Sequence, residues 1–287
     1  MRNMTYLEIS KLKPFENHPY YVKDDDEMMN LQESIKENGV LSPLIVRPLE
    51  NDEYEVISGH RRLHASKKAG LTQVPALIYE MDRDAASVLV VDSNLHRENI
   101  LPSEKAFAYK MKAEALSHQG KRTDLTSGQL VPKSDDNRAT AEIGEQTGES
   151  YKTVQRYIRL THLQPKLLEY VDEGRISFTP AVELSYLNDI EQNDLIEAIE
   201  IEDCTPSLSQ AVRMKKLSQQ GLLTDDKINE IMSEEKANQK ERIKIPTERV
   251  RKFFPKEYTN SQIEDEIVKL CEAHYKKKQK NRGGFER

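Results

Sequence analysis

The sequence predicts an α+β N-terminal domain, then an all-α domain with a helix-turn-helix, then a small helical, basic C-terminal segment. Three observations predict it. Strand-like, β-branched runs concentrate in residues 1–82. Apolar residues at helical spacing dominate from Asp84 to Leu217. Two helix-like stretches meet at Thr147-Gly148-Glu149, and the second of them is basic. The boundaries this suggests are 1–100, 101–217 with a flexible loop at 119–139, a linker at 218–242, and 243–287.

Composition narrows the class. A chain of 287 residues exceeds one small core. Hydrophobic residues make up 37% and charged residues 32%, and there is no tryptophan. No apolar run approaches the roughly 18 residues of a membrane span. The start, Met1-Arg2-Asn3-Met4-Thr5-Tyr6, lacks the apolar core of a signal peptide. Cys204 and Cys271 lie far apart with no CxxC or Cys/His neighbour, so no metal site is expected and a reducing cytoplasm fits. The net charge is −6, yet basic residues cluster at Lys152–Arg159 and Lys276–Arg282. That local clustering keeps nucleic acid open as a partner.

The elements follow in order. Tyr6, Leu7 and Ile9 give a short strand before Pro14 and Pro19. Met28, Leu31 and Ile35 share one face of a helix over 26–38, closed by Asn38-Gly39. Val40 to Pro48 reads as a buried strand, and Glu53 to Ile57 alternates as a second one. A helix to about Ala69 and a strand at Val74–Tyr79 complete this unit. A helix over 84–95 leads to Ser103, an N-cap candidate for a helix from Glu104 to about His118. Past the basic helix, further helices are expected at 165–173, 179–187, 190–200 and 207–217. Ile243–Pro246 suggests a short strand, and 248–254 and 261–275 look helical. Ile263, Ile267, Leu270 and Cys271 form a stripe suited to a dimer seam or a small core. The basic tail could touch DNA phosphates or simply aid solubility.

Two stretches carry chemistry. Gly59 sits where the strand Tyr54–Ile57 turns into a helix at His60-Arg61-Arg62. Free N–H groups at a helix start attract anions, and paired arginines offer forked donors to phosphate. The alternative is a glycine turn before a solvated basic helix. His60 and His64 lie one helical turn apart without a visible third ligand, too few for a metal. The second stretch is Ser150, as a cap, followed by Tyr151 to Leu160. Val154 and Ile158 face inward, which leaves Tyr151, Lys152, Thr153, Gln155, Arg156 and Arg159 for DNA, with Ser150 suited to a phosphate. The alternative is an ordinary helical hairpin with solvated charges.

Four motifs in one order carry a family likeness. Gly39-Val40-Leu41-Ser42-Pro43-Leu44-Ile45-Val46-Arg47, Gly59-His60-Arg61-Arg62, Asn94-Leu95-His96-Arg97-Glu98-Asn99-Ile100 and the helix-turn-helix together resemble the ParB family of partition proteins, over residues 4–217. The C-terminal part is closer in style to versions on plasmids and integrative elements. The resemblance implies a ParB/sulfiredoxin-like N-terminal domain that binds CTP and Mg2+, with Gly59, His60, Arg61, Arg62, Asn94 and Arg97 at the nucleotide. It implies a homodimeric clamp on a palindromic, centromere-like site in double-stranded DNA. It implies a ParA-type ATPase as partner and a nucleoid-associated role in plasmid or chromosome segregation.

Departures from the family pattern qualify the chemistry. His60 stands where the family usually has glutamate, and His64 replaces the last arginine. Ser93 stands where a glutamate would help hold Mg2+, so at most a weak CTP hydrolase is expected, with no catalytic residue assignable. Rival readings are a transcription regulator without nucleotide control, or a kinase or nuclease on the same scaffold. A kinase would need a base such as Glu55 or Glu98, and a nuclease an acidic cluster such as Asp24-Asp25-Asp26.

Overall fold

The structure is a computed structural model that describes residues 4–95, 97, 99–124, 135–234, 247–255 and 257–282. It divides into two compact units, Met1–Glu234 and Glu235–Arg287. The first begins with a mixed five-stranded sheet in the order β1-β5-β3-β4-β2. Its strands are β1 Thr5–Glu8, β2 Leu12–Pro14, β3 Leu44–Pro48, β4 Tyr54–Ser58 and β5 Gln73–Ile78. β1 runs antiparallel to β5, and β3 antiparallel to β4. β3 with β5 and β2 with β4 are parallel. A register shift between Ile45 and Val46 bends β3 beside the end of β4.

Alternation along β4 sends neighbouring residues to opposite faces. Val56 joins Leu44, Val46, Leu63 and Val74 on one face. Ile57 joins Phe15, Ala86 and Val90 on the other. The helices covering these faces are α1 Asp26–Asn38, α2 His60–Lys68 and α3 Arg83–Asp92. α1 begins at the Asp25 cap, whose carboxylate accepts the Met28 N–H at 2.9 Å.

Helices make up the rest: α4 Pro102–Asp124, α5 Asp135–Thr147, α6 Tyr151–Leu160, α7 Pro165–Asp172, α8 Phe178–Leu184, α9 Asp189–Glu202, α10 Leu208–Gln219 and α11 Asp225–Ser233. Their core includes Leu160, Leu167, Ile176, Leu184, Leu195 and Met214. The second unit contains α12 Thr247–Arg251 and α13 Asn260–Arg282. Among the described residues no helix is long and apolar enough to cross a membrane.

The structure corrects four expectations. Residues 119–124 and 135–139, expected in a flexible loop, continue α4 and open α5. One interior glycine, Gly120, costs a helix only about 1 kcal/mol and does not end it. Residues 225–233, expected in a linker, form α11, because Ile228, Ile231 and Met232 fall on one face and are buried in the helical core. Lys276 to Arg282, expected beyond the helix at 261–275, belong to α13. Ser103 does not cap α4: its N–H and hydroxyl both donate to Asp172 at the end of α7, at 2.9 and 2.5 Å. The strand expected at 243–246 lies outside the described residues.

Candidate functional site

Gly59 is the hinge of the site. It precedes α2 with φ +103° and ψ 24°, a conformation that L side chains rarely adopt. A Cβ there would sit 3.0 Å from the Leu44 side chain and 3.2 Å from the Arg62 guanidinium. The turn brings the start of α2 beside the segment after α3. A cavity of about 270 Å³ opens between them, and all six residues expected at the nucleotide line it: Gly59, His60, Arg61, Arg62, Asn94 and Arg97.

The two arginines differ. Arg62 donates to the backbone carbonyls of Ser42 and Pro43 at 2.5 and 2.8 Å, so it braces the loop before β3. Arg61 reaches Glu27 and Asp25 at 3.1 and 3.4 Å. These are long contacts to partly exposed carboxylates, and an incoming anion can displace them. Asn94 donates to the Val90 carbonyl at 2.8 Å and to the Ser93 hydroxyl at 3.2 Å. The Arg97 guanidinium lies 6.0 Å from the centre of the Tyr20 ring. His96 and Glu98 lie outside the described residues.

His60 packs its ring against that of His18, with centroids 3.8 Å apart. Burial above all, with the neighbouring His18, pushes its pKa down to about 3, while a hydrogen bond to the Val56 backbone works the other way. Burial lowers His18 too. Between its ordinary value of 6.5 and about 3, folded His60 refuses a proton that the unfolded chain accepts. Its contribution to stability is therefore complete above about pH 6.5 and is lost as the pH falls below it. Urea unfolding at pH 7.5 and pH 4.5 should show a loss on the order of 3 kcal/mol from this group, reduced in His60→Gln.

The pocket loop is anchored by Glu55, a carboxylate only 4% exposed. It pairs with Arg47 and Arg83, each at 2.6 Å, and accepts the Glu16 N–H at 3.2 Å. Held between two guanidinium groups, it cannot serve as a kinase base. Asp24, Asp25 and Asp26 do not gather around a cation either. Asp24 bonds to Lys68 at 2.7 Å and His64 at 2.8 Å, Asp25 caps α1, and Asp26 opens that helix. Among the described residues, the donors near Asn94 do not fit a protein-held Mg2+, which favours carboxylates. Asp92 is ion-paired with Lys112, and the Ser93 hydroxyl is hydrogen-bonded to the Val90 carbonyl at 3.1 Å.

The helix-turn-helix is α5 and α6. Gly148, at φ +73°, makes the turn, and Ser150 caps α6 by accepting the Thr153 N–H at 3.1 Å. Val154 is fully buried beside Tyr109 and Ile143. Tyr151, Lys152 and Gln155 are exposed, and Thr153 is half-buried. Arg156 and Arg159 were expected to point outward, but Arg156 turns onto α8 and Arg159 onto the turn that follows it. Arg156 donates to Thr179 at 3.0 Å across the Phe178 ring. Arg159 donates to the Ser185 carbonyl at 2.9 Å and lies 4.1 Å from the Tyr186 ring. Aromatic faces attract guanidinium groups, and α6 alone does not reveal that α8 supplies one.

Several important residues escaped the sequence reading. Lys112 is fully buried on α4 and joins Asp92 at the end of α3 to Gln146 on α5. Its signal was a lysine within the apolar stripe of Ala108 and Ala115. Lys105 and Tyr109 both bond to Glu149 in the turn. α4 thus ties the end of α3 to the helix-turn-helix. His18 and Tyr20, which also line the pocket, carried no sequence signal of their own.

Comparison with known proteins agrees with this architecture. Residues 1–95 match the model of the ParB N-terminal domain. The probable chromosome 1-partitioning protein ParB of Deinococcus radiodurans is 34% identical over 176 residues, covering 61% of this chain and 53% of that protein. The nucleoid occlusion protein of Listeria innocua is 30% identical over 195 residues, covering 68% of this chain and 62% of that one. The chain spans about half the length of the first of these. A C-terminally truncated ParB from Caulobacter crescentus, solved with CTP-gamma-S, is 25% identical and covers 69% of this chain and 99% of that one. Its TM-score is 0.31, and a likeness that low carries no argument. The sequence matches carry it: residues 1–95 are a ParB N-terminal domain, and the chain is similar to ParB and nucleoid occlusion proteins.

Proposed function

We propose that this chain is a sequence-specific DNA-binding partition protein whose N-terminal domain binds CTP. One observation carries the reading. The Gly59–Arg62 turn and the Asn94–Arg97 segment converge on a single cavity, in the same compact unit as the helix-turn-helix. The start of α2 supplies backbone N–H groups, and Arg61 supplies a cation with exchangeable partners. The partition role is supported by the names of the relatives, and the role of CTP by the family resemblance together with this pocket. A palindromic DNA site calls for a homodimer, and a ParA-type ATPase would be its partner in segregation. Hydrolysis would be weak at most, because Ser93 offers no carboxylate.

DNA binding is assigned to the exposed face of α6. Lys152 contacts phosphate and Gln155 a base edge, with Tyr151 and Thr153 beside them and Ser150 at the helix start. Arg156 and Arg159 would join them by releasing α8. In fluorescence anisotropy with DNA from the protein's own replicon, Lys152→Ala should weaken all sequences alike and lower the salt slope by about 1. Gln155→Ala should cost about 1–3 kcal/mol on the specific site alone. Equal affinity of the parent protein for specific and random DNA would overturn the assignment. A second reading, a nucleoid-associated regulator, is favoured by the likeness to a nucleoid occlusion protein. It predicts the same DNA binding without a ParA-type partner.

A further inference from the structure

A tyrosine outside the helix-turn-helix carries two cations. Tyr186, in the turn after α8, is 40% exposed. The Arg159 guanidinium lies 4.1 Å from its ring centre, and the Lys215 ammonium, on α10, lies 3.6 Å from it. An aromatic face attracts each cation, but the cations repel one another. Both side chains are half-buried, where salt screens that repulsion less than at an open surface. One carboxylate, Glu183, offsets them by pairing with Lys215 at 2.8 Å. Arg159 has no carboxylate partner among the described residues, and it donates to the Ser185 carbonyl and hydroxyl at 2.9 and 3.3 Å. The cluster is therefore left with one positive charge in excess.

The placement selects the anion. Arg159 stands in the last turn of α6, the helix whose exposed face is assigned to DNA. α8 packs on both α6 and α10, which brings Lys215 to the same ring. Ala211 and Met214 anchor α10 in the helical core, and Lys215 lies at the edge of that core. DNA held along α6 carries phosphates on both walls of its groove. A phosphate beyond the last turn of α6 meets Arg159 first and Lys215 next to it. Such a contact is intramolecular once α6 is bound, so it costs no second association.

We propose, resting on the reading that α6 binds DNA, that Arg159, Tyr186 and Lys215 form a contact to the DNA backbone outside the helix-turn-helix. Arg159 exchanges the Ser185 carbonyl for a phosphate oxygen, and Lys215 shares the phosphate charge. Tyr186 holds the two cations side by side. Glu183 competes with the phosphate for Lys215. The contact reads no base and adds affinity for any sequence.

The test is fluorescence anisotropy of the full chain with a duplex from its own replicon and with a duplex of random sequence, over about 50–200 mM salt. Lys215→Gln, Lys215→Arg and Glu183→Gln are compared with the parent protein, and melting temperatures are measured in parallel. Lys215→Gln should weaken both duplexes by the same factor, about 3–10-fold, and lower the slope of log affinity against log salt by about 1. Lys215→Arg should keep the slope of the parent. Glu183→Gln should strengthen both duplexes by about 2–5-fold, because Lys215 loses its competing partner. An unchanged slope in a folded Lys215→Gln would overturn the inference, while binding by the parent would leave the DNA reading intact. A loss confined to the replicon duplex would place Lys215 at a base and overturn it too. Should Lys215→Gln melt early, Glu183→Gln decides: no gain in affinity would make the Lys215–Glu183 pair structural and overturn the inference. A parent protein that bound neither duplex would remove the underlying reading and the inference with it.

Discussion

Replacing Glu55 by alanine is expected to cost about 3–5 kcal/mol of unfolding free energy, the range for removing one partner of a buried ion pair. Both carboxylate oxygens are engaged: one takes Arg47, the other Arg83 and the Glu16 N–H. The Arg47 side chain is 14% exposed, so water recovers little of what it loses. Arg83 carries the effect into the site. It also donates to the Glu16 carbonyl at 2.9 Å and lies 4.1 Å from the Phe15 ring centre, so it holds the start of the loop that delivers His18 and Tyr20. Urea denaturation followed by circular dichroism measures the loss. Glu55→Gln keeps an acceptor and should cost clearly less. Equal, small effects for both substitutions would show that the arginines find other partners and that the loop is anchored elsewhere.

Gly144→Ala is expected to disrupt the helix-turn-helix. Its Cβ would sit 2.5 Å from the Glu149 carbonyl oxygen, and that oxygen is backbone. The two segments are already tied by the Glu149 N–H donating to the Gly144 carbonyl at 2.9 Å. Relief requires moving the turn, at about 1–3 kcal/mol, a typical cost of overpacking. Moving the turn displaces Ser150 and the start of α6, so affinity for specific DNA should fall by more than the stability loss explains. Gly148→Ala is the informative contrast. Gly148 has φ +73° but nothing within 4 Å of a Cβ, so only the left-handed penalty of about 1–2 kcal/mol applies. If Gly144→Ala bound specific DNA as well as the parent protein, the close packing of α5 against the turn would not matter for recognition.

Much of the fold was legible because local signals agreed with tertiary ones. α1 carries an acidic cap, an apolar stripe and a closing glycine, and it spans Asp26–Asn38 as read. The Gly59 turn was legible because strand, glycine and basic helix follow one another directly. α11 was hidden because three apolar side chains in a charged segment look like a linker until the core they fill is known. Ser103 looked like a cap because the competing acceptor, Asp172, lies 69 positions away. Arg156 and Arg159 looked outward because Phe178 and Tyr186 come from α8 and the turn that follows it. The six residues grouped at the nucleotide by likeness do meet in one cavity. Their neighbours His18 and Tyr20 were invisible as site residues, because nothing local places them near Gly59.

The most direct test of the central claim is calorimetric titration of the full chain with CTP, alongside Arg61→Ala. Saturable binding by the parent protein, weakened at least about 10-fold in Arg61→Ala, is the predicted result, since the guanidinium would hold phosphate through charge-assisted hydrogen bonds. A folded parent protein that binds no nucleoside triphosphate would contradict the account and leave a DNA-binding protein without nucleotide control.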